Sequence, residues 1–402
     1  MINSLNVYLH QNSSKLNVGR LAYKDRKIYF EYSKEFLNRD INISPFKLPL
    51  KSGVHSCDDR VFDGLFGVFA DSLPDGWGRL LLDRHLSSLG INSASITPLD
   101  RLSYVGRYGV GALSYEPTKY DIQYTNMDII LDDLANHSSK ILQGTSSQMV
   151  EELLAIGGSS AGARPKVMVQ INNEDKMIHG SQKLQKDYEH YIVKFVNSTD
   201  SKDVGKLEYI YSLMARKAGI KIPYTKLITT SKNSYFAIKR FDRDELDNRY
   251  HIHSVSGMTH SDFRVPSLDY DDLLTLTFYL TKDMEQLEQI YKIAVFNLFA
   301  HNRDDHGKNF SYILKDKVWK LSLAYDLTFS FGPGGEHSTM YMGEGKNPTI
   351  EHLTKLARKH NIKNYSNIIN QIKDSVSYFT EYAKEHDIPK ETISLMKKAM
   401  IF

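Results

Sequence analysis

The sequence predicts an α+β fold in which a β-rich N-terminal module and a small mixed lobe precede a mainly helical lobe. Three observations carry that prediction. β-prone runs separated by turn residues crowd the first 60 positions, strand-like runs bracket one amphipathic helix in the middle, and helical periodicity dominates from residue 250 onward.

In chain order, "LNVYLHQ", "NVGRLAY" and "KIYFEYS" are the first strands, broken by "NSSK" and "KDR". "FDGLFGVFADSLPDGWGRLLLDRHLSSLG" is helical, interrupted at Pro74-Asp75-Gly76 and closed by Gly90. This module is expected over 1–122 as a structural or docking unit, because nothing in it forces catalysis. Residues 126–154 give helical segments that run into "AIGGSSAGARPK". The strands "KVMVQI" and "HYIVKF" follow. A helix over 203–218 comes next, with Leu207, Ile210, Tyr211, Met214, Ala215 and Ala218 at the helical period and Gly219 as its stop. "TKLITT" and "SYFAIKRF" complete a small lobe expected over 123–245. The helical lobe, over 246–402, holds a helix at 285–299 with Leu287, Ile290, Tyr291, Ala294 and Leu298 on one face, and a hairpin near 310–325.

Composition narrows the function classes. A chain of 402 residues is too long for one ordinary core. Hydrophobic residues at 41% and charged residues at 25% are those of a soluble globular protein. The net charge of +3 and the lack of a long Lys/Arg block argue against a free-standing nucleic-acid binder. The single cysteine, Cys57, excludes an intramolecular disulfide and a Cys-rich zinc site. The N-terminal residues lack the apolar core of a signal peptide, and no apolar run reaches 18 residues, so no membrane span and a cytoplasmic location are expected.

The chemistry concentrates in "AHNRDDHGKNF" (300–310), which follows the apolar helix directly. After it, "FSYIL" and "WKLSLAY" alternate around the turn "KDK". A turn centred on Asp316 would pair Asn309 near Leu323 and leave Asp326 at the same open end as the polar cluster. Asp304, Asn309 and Asp326 are then expected to converge. One Asn and one Asp beside a separate carboxylate is the set that Mg²⁺-dependent phosphoryl transfer needs: hard oxygens for the cation, and a base for the nucleophile's proton. A polar capping loop with a surface Asp326 is the plain alternative. A metal-hydrolase set of His301, Asp304, Asp305 and His306 is another, although no His-x-x-x-His pair supports it. Asp305 has no part in the phosphoryl-transfer set and is the charge that it needs least.

Two features upstream suit a nucleotide. "GGSSAGARPKVMV" (157–169) offers small residues whose backbone N–H groups can approach phosphate, although a flexible linker has the same composition. Lys194 sits in an apolar strand and needs a partner or a ligand. Glu208, on the following helix, is a suitable anion, and a strand lysine held by a helix glutamate is how protein kinases address ATP phosphates. Glu208 fits a solvated position beside the helix's apolar face equally well.

"HNRDDHGKNFSYIL…LSLAYDLTFSF" resembles the catalytic block of HipA-type serine/threonine kinases, the toxins of bacterial HipBA toxin–antitoxin modules, through an N-x-D-x-H-x-K-N loop and a hairpin ending in Y-D. The resemblance implies a HipA-like bilobal, protein-kinase-like fold that uses ATP and Mg²⁺. It makes Asp304 the catalytic base, Asn309 and Asp326 the Mg²⁺ ligands, Lys308 a phosphate or loop-supporting group, and His306 structural. Ser159, Gly162 and Lys166 match the family's S-x-x-G-x-x-x-K loop. That match puts autophosphorylation on Ser159, with Ser160 next, and gives Ser160, Ala161, Gly162 and Lys166 to ATP. Lys194 matches the ATP-binding lysine, and the backbone of Ala237, Ile238 and Lys239 would contact adenine before the bracing pair Arg240 and Asp242. "FADSLPDGWGRLL" and "MYMGEGKNPTIEHLTKLARKHNI" extend the resemblance over nearly the whole chain, with Arg164-Pro165 before Lys166 as a departure. The implied partners are a HipB-like helix-turn-helix antitoxin, operator DNA chiefly through that antitoxin, and an aminoacyl-tRNA synthetase as protein substrate. A small-molecule hydroxyl kinase and a catalytically silent co-repressor are the rival functions.

Overall fold

The structure, a computed structural model, describes residues 2–119, 129–145, 149–157, 162–180, 183–197 and 201–401. Strands β1 (Ser4–Gln11), β2 (Ser14–Lys24), β3 (Lys27–Tyr32), β4 (Val54–Ser56) and β5 (Leu113–Glu116) form an antiparallel sheet in the order β4-β3-β2-β1-β5. Two-residue turns at Asn12-Ser13 and Asp25-Arg26 join its first three strands, with positive φ at all four residues. That backbone matches the right-handed twist of the paired strands, and Asn and Asp tolerate it best among residues with a side chain.

The second sheet contains β6 (Lys166–Asn172), β7 (Met177–His179), β8 (Tyr188–Lys194), β9 (Thr225–Thr229) and β10 (Ser234–Lys239), in the order β7-β6-β8-β10-β9. The helix Val204–Lys217 connects β8 to β9 and buries Leu207, Ile210, Tyr211, Met214 and Ala215, the face that its periodicity predicts. Val167, Val169, Ile171 and Val193 pack with Leu131, Leu134, Leu153 and Ile156 in a core that also takes in Trp77. Trp77 belongs to the helix Gly76–Ser88 of the N-terminal module, so that module reaches into the small lobe.

The remainder is mainly helical, with strands β11 (His251–Ser254), β12 (Leu268–Asp269), β13 (Ser311–Lys315), β14 (Val318–Leu321) and β15 (Thr339–Met340). The expected hairpin is β13–β14, but its register differs by one residue. Asp316 and Lys317 form a two-residue turn with φ of 50° and 63°, so Lys315 faces Val318 and Tyr312 faces Leu321. A type I′ turn closes more tightly than the three-residue turn expected from "KDK". The sequence also hides β11, which pairs with β13 and makes the hairpin a three-stranded sheet.

A buried polar interlock fastens the N-terminal module to β11. Asp71 Oδ2 lies 2.6 Å from His253 Nδ1 and accepts from Ser254 N at 2.7 Å, while Asp71 Oδ1 accepts from Ser254 Oγ at 2.6 Å. His253 Nε2 in turn lies 3.1 Å from Ser44 Oγ. Among the described residues, no helix is long and apolar enough to cross a membrane.

Candidate functional site

The site begins where the helix Met284–Phe299 stops. This helix buries the whole predicted face, and Asp283 caps its start by accepting from Glu285 N at 2.8 Å. At its other end His301 adopts φ of 53°, and Asn302 N returns to Asn297 O at 2.9 Å. This left-handed closure turns the chain sharply, and it explains how an apolar helix can deliver a polar loop to the surface within three residues.

The loop is braced from beneath by Asp305. Its carboxylate is 1% exposed and accepts from Tyr270 Oη at 2.9 Å, Ser338 N at 2.8 Å and Thr339 N at 3.2 Å, with His337 Nδ1 at 3.0 Å. Asp305 is thus the anchor of the loop, not its dispensable charge: a buried carboxylate persists only when its lone pairs are occupied, and here they are. Asn302, Asn297 and Tyr270 continue the chain of hydrogen bonds, each within 2.9 Å of the next.

Above this brace the predicted residues come together. Asp304 presents a carboxylate that is 49% exposed, with His306 Nε2 at 3.8 Å. Surrounding protein raises its pKa above the ordinary carboxylate value, and the negative charge of Asp326 adds to the rise against His306. Asn309 ends a short 3₁₀ turn and spends its Nδ2 on the Asp304 carbonyl at 2.7 Å, which leaves Oδ1 as the atom for a cation. Asp326 arrives from the hairpin. Tyr325 Oη fixes that segment, 2.5 Å from Ser311 Oγ and donating to Lys308 O at 2.7 Å. Asp326 itself has φ of 58°, a conformation that Asp tolerates better than most residues.

Lys194, at the end of β8, donates to Glu208 Oε1 and, at 2.5 Å, to Asp326 Oδ1. Glu208 is 2% exposed, so the solvated alternative does not hold. Burial lowers the Lys194 pKa, but the two carboxylates outweigh it and hold the ammonium above its usual value. Burial acts against the Asp326 charge too, yet Lys194 and Lys166 keep that carboxyl well below the usual range. Lys166, on β6, is 6% exposed; burial first, then the like charge of Lys194, bring its pKa down to about 8.

Gly162 packs so closely on the Lys166 ammonium that a Cβ there would collide with it, and its φ of 101° also favours glycine. Ser159, Ser160 and Ala161 lie outside the described residues. Ala237 and Ile238 pair with β8 on one side and β9 on the other, while Lys239 pairs with Tyr191 and donates its N–H to Tyr224 O at 2.9 Å. The ladders engage the main chain expected to meet adenine, because β10 is a central strand rather than a free edge. Arg240 and Asp242 form a buried bidentate pair at 2.8 and 2.6 Å.

The four residues of the hydrolase alternative do not share a focus. His301 stacks on Phe329 at 5.3 Å, Asp305 is committed below the loop, and only Asp304 and His306 face each other. Among the described residues no group of three or more His, Cys, Asp or Glu is placed to hold a metal ion. Asn309 and Asp326 together still suit Mg²⁺, which takes few protein ligands, prefers hard oxygens and completes its shell with water and phosphate.

One site residue escaped the sequence. Asp75, in the N-terminal turn Pro74-Asp75-Gly76, accepts from the Lys308 ammonium and from Gly162 N. Its partners lie 233 and 87 residues away, and no local pattern announces them.

Residues 5–116 match the family model described as the HipA N-terminal domain, and residues 158–378 match the one described as the HipA-like C-terminal domain. Among solved structures, HipA of Shewanella oneidensis MR-1, determined in a toxin–antitoxin complex with HipB and operator DNA, superposes with a TM-score of 0.71. That match is 16% identical and covers 98% of this chain and 94% of the other, so it speaks to the fold. The Helicobacter pylori proinflammatory kinase CtkA gives a TM-score of 0.34 at 13% identity, over 55% of this chain and 94% of its own, a correspondence too loose to carry weight. With both halves of the chain matched in order, and the two-lobed α+β fold in common, the protein belongs to the HipA family.

Proposed function

We propose that the chain is an ATP- and Mg²⁺-dependent protein serine/threonine kinase and the toxin of a toxin–antitoxin pair. The single observation that carries the reading is Lys194 bonded at once to Glu208 and Asp326, with Asp326 near enough to the loop presenting Asp304 and Asn309 for its charge to act on Asp304. Lys194 and Lys166 suit the triphosphate, and Lys308, bonded to Asp75, supports the loop. Asp326 Oδ and Asn309 Oδ1 would hold Mg²⁺, which supplies charge neutralisation on the transferring phosphoryl group. Asp304 accepts the proton of a serine or threonine hydroxyl as that oxygen bonds to the γ-phosphorus; the bond to the β-phosphate oxygen breaks and ADP leaves.

Family membership supports a loop serine, Ser159 or Ser160, as an autophosphorylation site. A HipB-like helix-turn-helix antitoxin fits as partner, with operator DNA reached chiefly through it; the Shewanella HipA is itself in a complex with HipB and operator DNA. An aminoacyl-tRNA synthetase is the proposed protein substrate. A small-molecule hydroxyl kinase shares the same chemistry and differs only in what enters the cleft.

Purified protein incubated with γ-labelled ATP and Mg²⁺ should take label on Ser159 or Ser160. Asp304→Asn should lower the rate by about 10²–10⁴, the usual worth of a positioned base, with unchanged thermal unfolding. Asp326→Asn should abolish Mg²⁺-dependent ATP turnover. Absence of both ATP binding and label in the wild type would overturn the kinase reading.

A further inference from the structure

Asp75 occupies the N-cap position of the helix Gly76–Ser88 with the extended backbone of a capping residue, φ −124° and ψ 173°, yet its side chain makes no bond to its own helix. An N-cap aspartate ordinarily stabilises its helix by about 1 kcal/mol through that bond. Here Oδ1 accepts from Gly162 N and Oδ2 from Lys308 Nζ, and the Asp75 side chain is 19% exposed. The helix finds its acceptor elsewhere: Trp77 N donates to Gly162 O at 3.1 Å. Gly162 is therefore held through both its N–H and its carbonyl by one turn of the N-terminal module. Contact is close enough that a Cβ on Gly76 would stand 2.6 Å from Ala163 Cα. On the other arm, Lys308 Nζ also lies 4.3 Å from the centre of the Phe263 ring, so its ammonium is held between a carboxylate and an aromatic face.

We propose that Asp75 is a positioning residue that clasps the end of the Gly/Ser loop to the 300–310 loop, making the N-terminal module a working part of the nucleotide site. The inference rests on the kinase reading for its consequence, though not for its geometry. One oxygen holds Gly162 N–H and so fixes the residue that leads from the Gly/Ser loop toward Lys166. The other keeps Lys308 from collapsing onto Asp304 or Asp326, where it would compete with the cation.

Two variants of the full chain separate the arms. Asp75→Ala loses both, and Asp75→Asn keeps an acceptor for Gly162 N while losing the ion pair with Lys308. With ATP and Mg²⁺, Asp75→Ala should raise KM for ATP about tenfold, the worth of one charge-assisted hydrogen bond, and lower kcat as well. Asp75→Asn should leave KM within about twofold and lower only kcat, a split that general loosening of the fold does not produce. Backbone amide exchange at Gly162 should quicken about tenfold in Asp75→Ala and stay near wild type in Asp75→Asn. Wild-type KM, kcat and Gly162 exchange in both variants would overturn the clasp. If the wild-type chain turns over no ATP, the kinase reading falls, and the exchange rate at Gly162 alone decides the clasp: faster in Asp75→Ala upholds it, unchanged refutes it.

Discussion

Lys166 and Asp304 are displaced toward each other on the pH scale. Burial lowers Lys166 to about 8 and raises Asp304 above the usual carboxylate value. As the base of the proposed phosphoryl transfer Asp304 acts deprotonated, so kcat/KM should climb as pH rises through its raised pKa. The phosphate contact proposed for Lys166 needs its charge, so kcat/KM should fall as pH passes about 8. A bell-shaped profile of the free enzyme's kcat/KM for ATP is the expected result. Lys166→Arg should flatten its alkaline limb, since a guanidinium stays charged throughout that range. An alkaline limb unmoved by Lys166→Arg would assign it to another group.

At the level of elements, the helix Met284–Phe299, the hairpin that brings Asp326 home and the need of Lys194 for a partner are legible, because periodic burial and the charge of a strand lysine are local signals. Glu208, by contrast, fits a solvated position equally well until the structure buries it against Lys194. The one-residue register shift is not legible: Asp316 and Lys317 both adopt positive φ, a backbone choice that "KDK" does not announce as Asn-Gly would. Nor is β11, where "HIHS" lacks apolar alternation and is held by its pairing with β13. The role of Asp305 is hidden from the sequence for a related reason. A charge in a loop is usually solvated, and the Tyr270, His337, Ser338 and Thr339 groups that satisfy this one lie 32 to 35 residues away. Asp305→Ala should therefore cost about 3 kcal/mol of stability, because it strands a buried imidazole, a phenol and two amides. Denaturant unfolding measures this directly, and a loss below about 1 kcal/mol would mean that the loop does not depend on its brace.

On the scale of the whole molecule, the N-terminal module is continuous with the rest. One hydrophobic cluster runs from Leu5 and Phe30 through Leu207 and Tyr291 to Met400, and Trp77 is lent to the small lobe. The polar fastening between Ser44, His253 and Asp71 has a chemical consequence of its own. Hydroxyl, imidazole and carboxylate stand in the order that hydrolases use to activate a serine. Ser44 is 1% exposed, so no acyl donor reaches it while the parts are assembled. Pulling the module away would expose Ser44 and, in the same motion, remove the imidazole, since His253 stays behind on β11. Reactivity is closed off in both states. A fluorophosphonate probe should leave Ser44 unlabelled in native protein and in protein partly unfolded by denaturant; labelling in either would show that access and alignment coexist there.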